Sequence, residues 1–255
     1  MSKKYKNNFI NSFIVRFDFN SFYKDVNTDK IRKALQKEFP IVEGKTIQGH
    51  QIIMENNINI APTIQPTNVI NESTLISADS KTRIVLSNLA FVYETQDYTT
   101  FDEIKEKIIS ILKILEIENQ IKNFNRVGVR YVNLIKLPCK KVEDLFDWKG
   151  YIDDKLLGNH NLFSDDQKNL LQLVNVFNLK SSSGEEVIYT VQTGLLNQNF
   201  PASMMEKLFL IDIDGYTKSM VEKDEIINLF DIIHEEENEI FEKCIGPKLR
   251  GLMNE

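Results

Sequence analysis

Three groups of side chains have the types and spacing from which chemistry is built. Arg126 and Arg130 stand in Asn125-Arg126-Val127-Gly128-Val129-Arg130-Tyr131-Val132-Asn133, where β-branched residues and Tyr alternate and Pro138 follows, the pattern of a strand. On a strand, Val127, Val129, Tyr131 and Asn133 point to one face and Arg126, Gly128, Arg130 and Val132 to the other. Two guanidinium forks two pleats apart, with a glycine between them, would leave an open patch for a phosphate or another backbone. The same pattern also fits arginines on a solvated sheet face or paired with nearby acids. Asn133 falls on the apolar side and needs hydrogen-bond partners there, from a bulge or from the sheet end beside Pro138.

Asp212-x-Asp214 forms the second group, two carboxylates on one face of a strand, able to hold a hard cation such as Mg²⁺. The alternative is a strand end at Gly215, with Asp214 bonding within the turn. A nucleotidyl-transfer site would need further acids and a phosphate-contacting loop, and neither is evident. His234 is the third candidate, on the apolar face of the last helix, as a base or ligand or as a hydrogen-bonded structural imidazole. The neighbouring run Glu235-Glu236-Glu237 reads as a solvated helix face, or as a patch for a basic partner. His50 and His160 are the other histidines. Phosphate-binding glycine loops, HExxH, nucleophile elbows and zinc cysteine sets are missing, and Ser181-Ser182-Ser183-Gly184 reads as a hairpin turn. No residue is assigned to catalysis and no cofactor is implied.

The elements that must position these groups follow from periodicity. Phe13, Val15, Phe17 and Phe19 alternate with Ile14, Arg16 and Asp18, a half-buried strand on which Arg16 and Asp18 share a surface with Arg126 and Arg130. A short helix runs from Thr28-Asp29 through Ile31, Leu35 and Phe39 to Pro40. Residues 46–54 read as a strand carrying His50, and residues 55–73, rich in Asn, Thr and Pro, as a long loop. Strands at 74–78 and 82–87 flank a turn at Asp79-Ser80-Lys81, with another at 89–95. Thr100-Phe101-Asp102-Glu103 caps a helix carrying Ile104, Ile108, Ile111, Leu112 and Leu115. Beyond Pro138 come a helical turn at 142–148, a loop at 158–161, a hairpin of 170–179 with 186–196, and a strand at 208–214. Ser219-Met220-Val221-Glu222 then opens a helix with Ile226, Phe230, Ile233, His234, Phe241 and Cys244 on one face, and the chain ends soon after Gly246-Pro247.

Residues 90–99 align with 208–217 at Phe, acid, Tyr and Thr, and a capped helix follows each copy. The expected fold is therefore α+β: a mostly antiparallel sheet with two long helices packed on one face, and an internal duplication of strand-strand-helix halves, 1–123 and 124–255, in one compact unit. The opposite face would carry Arg16, Arg126 and Arg130.

Composition narrows the function classes. The 255 residues are 42% apolar and 27% charged, ordinary for a globular protein. A net charge of −6 argues against a broad nucleic-acid footprint. Cys139 and Cys244 match no metal or redox spacing, which points to a reducing, cytoplasmic setting. The start MSKKYKNNF has no signal-peptide core behind it, and no run approaches the ~18 apolar residues of a membrane span.

Leu86-Ser87, Tyr98 with Phe101, and the Arg126 to Asn133 strand together resemble a sporadically distributed family of uncharacterised bacterial proteins with an Arg-x-Gly-x-Arg-Tyr-x-Asn strand motif. Residues 210–213 and 233–235 resemble that family's second half, and Phe101 stands where the family has Trp. The resemblance carries no mechanism; sporadic occurrence associates such genes with phage-defence or toxin–antitoxin neighbourhoods. The expectation is a non-enzymatic interaction or regulatory module with a protein partner or a second copy of itself. The alternative is a binder of, or enzyme for, a phosphorylated or nucleotide ligand, with Arg16, Arg126, Arg130, Tyr131, Asn133 and His234 as the binding set and Asp212 and Asp214 as metal candidates.

Overall fold

The computed structural model describes residues 5–20, 29–53, 63–119, 121–139, 141–158, 172–184 and 186–255. Two strands of alternating burial form the middle of the sheet. β1 (Ile10–Phe19) buries Phe13, Val15, Phe17 and Phe19, and β6 (Asn123–Leu137) buries Val127, Val129, Tyr131, Asn133 and Ile135. They pair antiparallel with Val15 opposite Val129. Outward from β1 lie β5 (Ala90–Thr95), β4 (Thr82–Ser87), β3 (Thr63–Ile76) and β2 (Ile41–Ile53). Outward from β6 lie β9 (Lys207–Thr217), β8 (Val187–Leu195) and β7 (Leu173–Lys180), and the two-residue β10 (Val221–Glu222) pairs with the start of β6. The fold is α+β, with one mostly antiparallel sheet of ten strands and the helices α1 (Asp29–Leu35), α2 (Phe101–Asn119), α3 (Ile226–Cys244) and α4 (Pro247–Asn254).

The helices bury the stripes that their spacing dictates. Thr100 Oγ1 accepts the Glu103 N–H at 3.3 Å and so caps α2, whose Phe101, Ile104, Ile108, Ile111 and Leu115 join the core. α3 lies against β6 and β9 and sinks Ile226, Leu229, Phe230 and Ile233 into the same core. Its close approach depends on Gly215: a Cβ there would stand 2.6 Å from Tyr189 Cε1 and 2.8 Å from Ile233 Cγ2. Among the described residues, no helix is long and apolar enough to cross a membrane.

Three expectations are corrected. The loop expected over 55–73 is a strand from Thr63 onward, paired with β2 from Thr63 opposite Ile53 to Ile76 opposite Ile41. Backbone pairing tolerates its Asn- and Thr-rich text because strand propensity depends on context, and Pro66 falls where the register shifts between Gln48 and His50. The helix expected at Ser219 begins later. Val221 and Glu222 are still paired to Phe124 and Asn123, and the capping box is made by Glu222 with Glu225, one short 3₁₀ turn (Lys223–Glu225) before α3. Past Gly246-Pro247 the chain does not simply end: Pro247 opens α4, which buries Leu249 and Met253.

Candidate functional site

The ladder sets the charged candidates side by side on the face turned away from α3. Across β1 and β6, Asp18 lies opposite Arg126 and Arg16 opposite Gly128. Across β6 and β9, Arg130 lies opposite Asp214 and Val132 opposite Asp212. Arg16, Asp18, Arg126 and Arg130 thus share one surface, as their spacing predicts. The expected open patch, however, is filled. Arg130 closes on Asp212 as a fork, Nε to Oδ1 at 2.8 Å and Nη2 to Oδ2 at 2.6 Å. Arg126 stacks 4.2 Å above the Tyr216 ring and reaches Asp214 at 3.4 Å. Arg16 pairs with Asp18 at 2.6 Å and Arg83 with Glu94 at 2.6 Å. Four arginines therefore meet four carboxylates, and Tyr216 stands beside Gly128, where a Cβ would lie 3.4 Å from Tyr216 Cβ.

Asp212 and Asp214 are neither turn groups nor an open cation pair. β9 runs on to Thr217, so Gly215 sits inside the strand rather than ending it. Asp212 is buried beneath Arg130, and burial pushes the Asp214 carboxyl up against the pull of Arg126 and Arg130. Among the described residues, no group of three metal-ligating side chains is assembled.

The other three binding candidates meet on the opposite side of the sheet. Tyr131, Asn133 and His234 line a cavity of about 370 Å³ between the start of α2, the middle of α3 and β6. Asn133 is buried, and its Nδ2 donates to the Ile211 carbonyl at 3.1 Å, so its partner comes from the adjacent strand rather than from the sheet end. His234 stacks on Phe101 with centroids 3.9 Å apart and planes 8° apart. The Asn238 amide nitrogen lies 3.0 Å from Nε2 and the Tyr131 hydroxyl 2.8 Å from Nδ1. With the amide donating to Nε2, the ring carries its proton on Nδ1, towards Tyr131. Tyr131 Oη in turn stands 3.4 Å from Tyr98 Oη. Burial holds the His234 imidazole down to about 4, against the pull of Asp102 and Asp231, so the ring is neutral near pH 7. Burial also raises both phenols, Tyr131 well above its ordinary value. This stretch of the wall, from Asn238 through His234 and Tyr131 to Tyr98, is thus a row of polar but uncharged groups set among aromatic rings.

Glu237 completes the wall, and it corrects the reading of the acidic run. Its neighbour Glu235 is exposed, but Glu237 is 1% exposed and its Oε1 accepts the Gly215 N–H at 3.0 Å. Oε2 is buried and has no hydrogen-bond partner. Desolvation raises its carboxyl well above the ordinary value, only partly opposed by the Gly215 hydrogen bond. Glu236, between them, turns the other way and holds the hairpin tip: its Oε1 accepts the Ser182 and Ser183 N–H groups at 3.0 and 2.9 Å and the Ser181 and Ser182 hydroxyls at 3.0 and 2.8 Å. Periodicity held the signal for Glu237, since it follows Phe230 and Ile233 at helical spacing on the apolar stripe. Tyr98 and Asn238 were also missed; Asn238 lies four residues after His234, on the same face.

His50 lies in β2, and its side chain falls outside the described residues, as does all of His160. Both cysteines are free thiols, with Cys244 buried and pushed up to about 12 by that burial. Neither protein-family models nor curated protein sequences match the chain.

Proposed function

We propose that this protein is a non-enzymatic regulatory module that binds a small organic molecule in the cavity between α2, α3 and β6. The observation that carries this reading is the cavity wall, where the series Asn238, His234, Tyr131 and Tyr98 presents neutral hydrogen-bonding groups among aromatic rings. Polar groups converging on a concavity of a few hundred Å³, with aromatic rings between them, fix and orient a small ligand. Burial keeps the phenols protonated and the imidazole uncharged. Binding rather than turnover is the chemistry they offer.

The same reading takes the fold as a duplicated unit, 1–123 and 124–255, with α2 and α3 as counterpart helices on one face of the sheet. Strand order supports it, running β3-β4-β5-β1 from one side and β7-β8-β9-β6 from the other. Arg16 and Phe17 follow Val15 as Arg130 and Tyr131 follow Val129, the residue opposite it. A place beside defence or toxin–antitoxin genes, with a protein as the partner that reads the ligand, rests on the family resemblance alone.

Thermal melting against a broad panel of small metabolites tests the site, because a ligand bound only by the folded state raises its apparent stability. Thr99 is exposed at the cavity mouth, and Thr99→Trp should block entry without touching the core. At least one compound is expected to raise the melting temperature of the wild type and not of Thr99→Trp. A panel without effect on either protein would sink the reading. A shift from phosphorylated compounds that survives Thr99→Trp and is lost in Arg130→Ala would move binding to the open sheet face.

A further inference from the structure

We propose that the cavity takes a small organic cation, a protonated amine on an apolar or aromatic body, with the free Oε2 of Glu237 as its counter-ion. The inference rests on the cavity being the binding site, and it adds the sign of the ligand's charge. A fully buried carboxylate with one satisfied oxygen and one unpaired oxygen is costly. A donor brought in from outside would satisfy it, and a cationic donor most strongly.

The rest of the wall agrees on the sign. Its charged lining residues are Asp102, Asp231, Glu235, Glu237 and Glu242, with no lysine or arginine among them. Asp231 is already paired with Lys105, and Glu242 with Arg250 and the Tyr5 hydroxyl. Asp102, Glu235 and Glu237 therefore set the local balance. His234 adds no positive charge near pH 7 because burial keeps it neutral. Tyr98, Tyr131 and Phe241 supply ring surface for the ligand body and π faces that favour a cation. A phosphate or carboxylate entering here would meet the buried carboxyl and no base.

Binding of this kind changes protonation. Desolvation favours the protonated Glu237 carboxyl, and the neighbouring Asp214 and Asp212 of β9 push the same way. Tyr98, Tyr131 of β6 and Tyr189 of β8 also face it and stay protonated, as His234 one turn before stays neutral. An arriving ammonium reverses the preference, so Glu237 ionises and a proton leaves for solvent. Affinity should then rise with pH while the amine stays protonated.

Melting and titration calorimetry of the whole chain with benzylamine and putrescine, against benzyl alcohol, benzoate and 1,4-butanediol, decide the matter. Either amine is expected to raise the melting temperature, with protons released on amine binding when heats in two buffers of different ionisation enthalpy are compared. The uncharged and anionic isosteres should have no effect. Glu237→Gln, which keeps an acceptor for Gly215 N–H, should weaken amine binding about tenfold or more and abolish proton release. Should benzyl alcohol or benzoate shift the melt as far as benzylamine, the cation is wrong and the cavity stands. Amine binding unchanged in Glu237→Gln removes Glu237 as counter-ion. Amine shifts that persist in Thr99→Trp place the amine outside the cavity and overturn the cation inference. No shift from either amine overturns the cation inference, while hits from the metabolite panel decide the cavity separately.

Discussion

Two titratable groups three residues apart on α3 give the fold opposite pH dependences. His234 is held down to about 4 by burial, against 6.5 for an unhindered imidazole. Between those values the unfolded chain binds the proton that the folded chain refuses, so stability present above pH 6.5 drains away as pH falls towards 4, by about 3 kcal/mol at most. Glu237 works the other way. Its carboxyl is raised above 4.5, so its contribution is complete below pH 4.5 and is lost as pH rises through the folded-state value. Denaturant melts across pH should show His234→Gln flattening the acid limb and Glu237→Gln the alkaline one. An acid limb left unchanged in His234→Gln would contradict the buried neutral imidazole. At this scale the sequence placed Tyr131, Asn133 and His234 on apolar faces correctly, and three of the six binding candidates share the cavity. It did not show that Arg130 is spoken for by Asp212, because that pairing depends on which strand becomes the neighbour of β6.

Glycine 215 is where one element limits another. In the sequence it resembles a turn marker, yet it lies inside β9, and a glycine within a strand often marks close approach by another part of the chain. Gly215→Ala must push Tyr189 and Ile233 aside, and a loss of about 1–3 kcal/mol in chemical denaturation is expected. A neutral result would mean that α3 can stand off the sheet, and the Glu237 to Gly215 contact would then be loose as well. Elements with strong periodicity, β1, β6, α2 and α3, were legible because one face of each is buried. β3 was not, since its text is polar and its order comes from pairing with β2 and β4 rather than from apolar alternation. The start of α3 was shifted for a similar reason: Val221 and Glu222 are held by β6 before the helix can begin.

For the molecule as a whole, residues 1–123 and 124–255 meet along a strand pair, β1 with β6. Separating 1–123 from 124–255 would strip β1 from β6, leave each with an unpaired backbone edge, and uncover Phe13, Val15 and Phe17 on one side and Val127 and Val129 on the other. The fragment 124–255 alone is therefore expected to show no cooperative melt, and mixing the two fragments should restore one; a cooperative transition from 124–255 by itself would contradict the shared core. The sequence carried the count of strands and helices better than their order, because the order is set by contacts such as Val15 with Val129, far apart along the chain. One arrangement joins the cavity to the far edge of the sheet. Glu237 lines the cavity, and Glu236, the residue before it, holds the tip of the β7–β8 hairpin by four hydrogen bonds. The two carboxylates ride on a single turn of α3, so a rotation of the helix that re-seated Glu237 would also carry Glu236 and, with it, the hairpin tip.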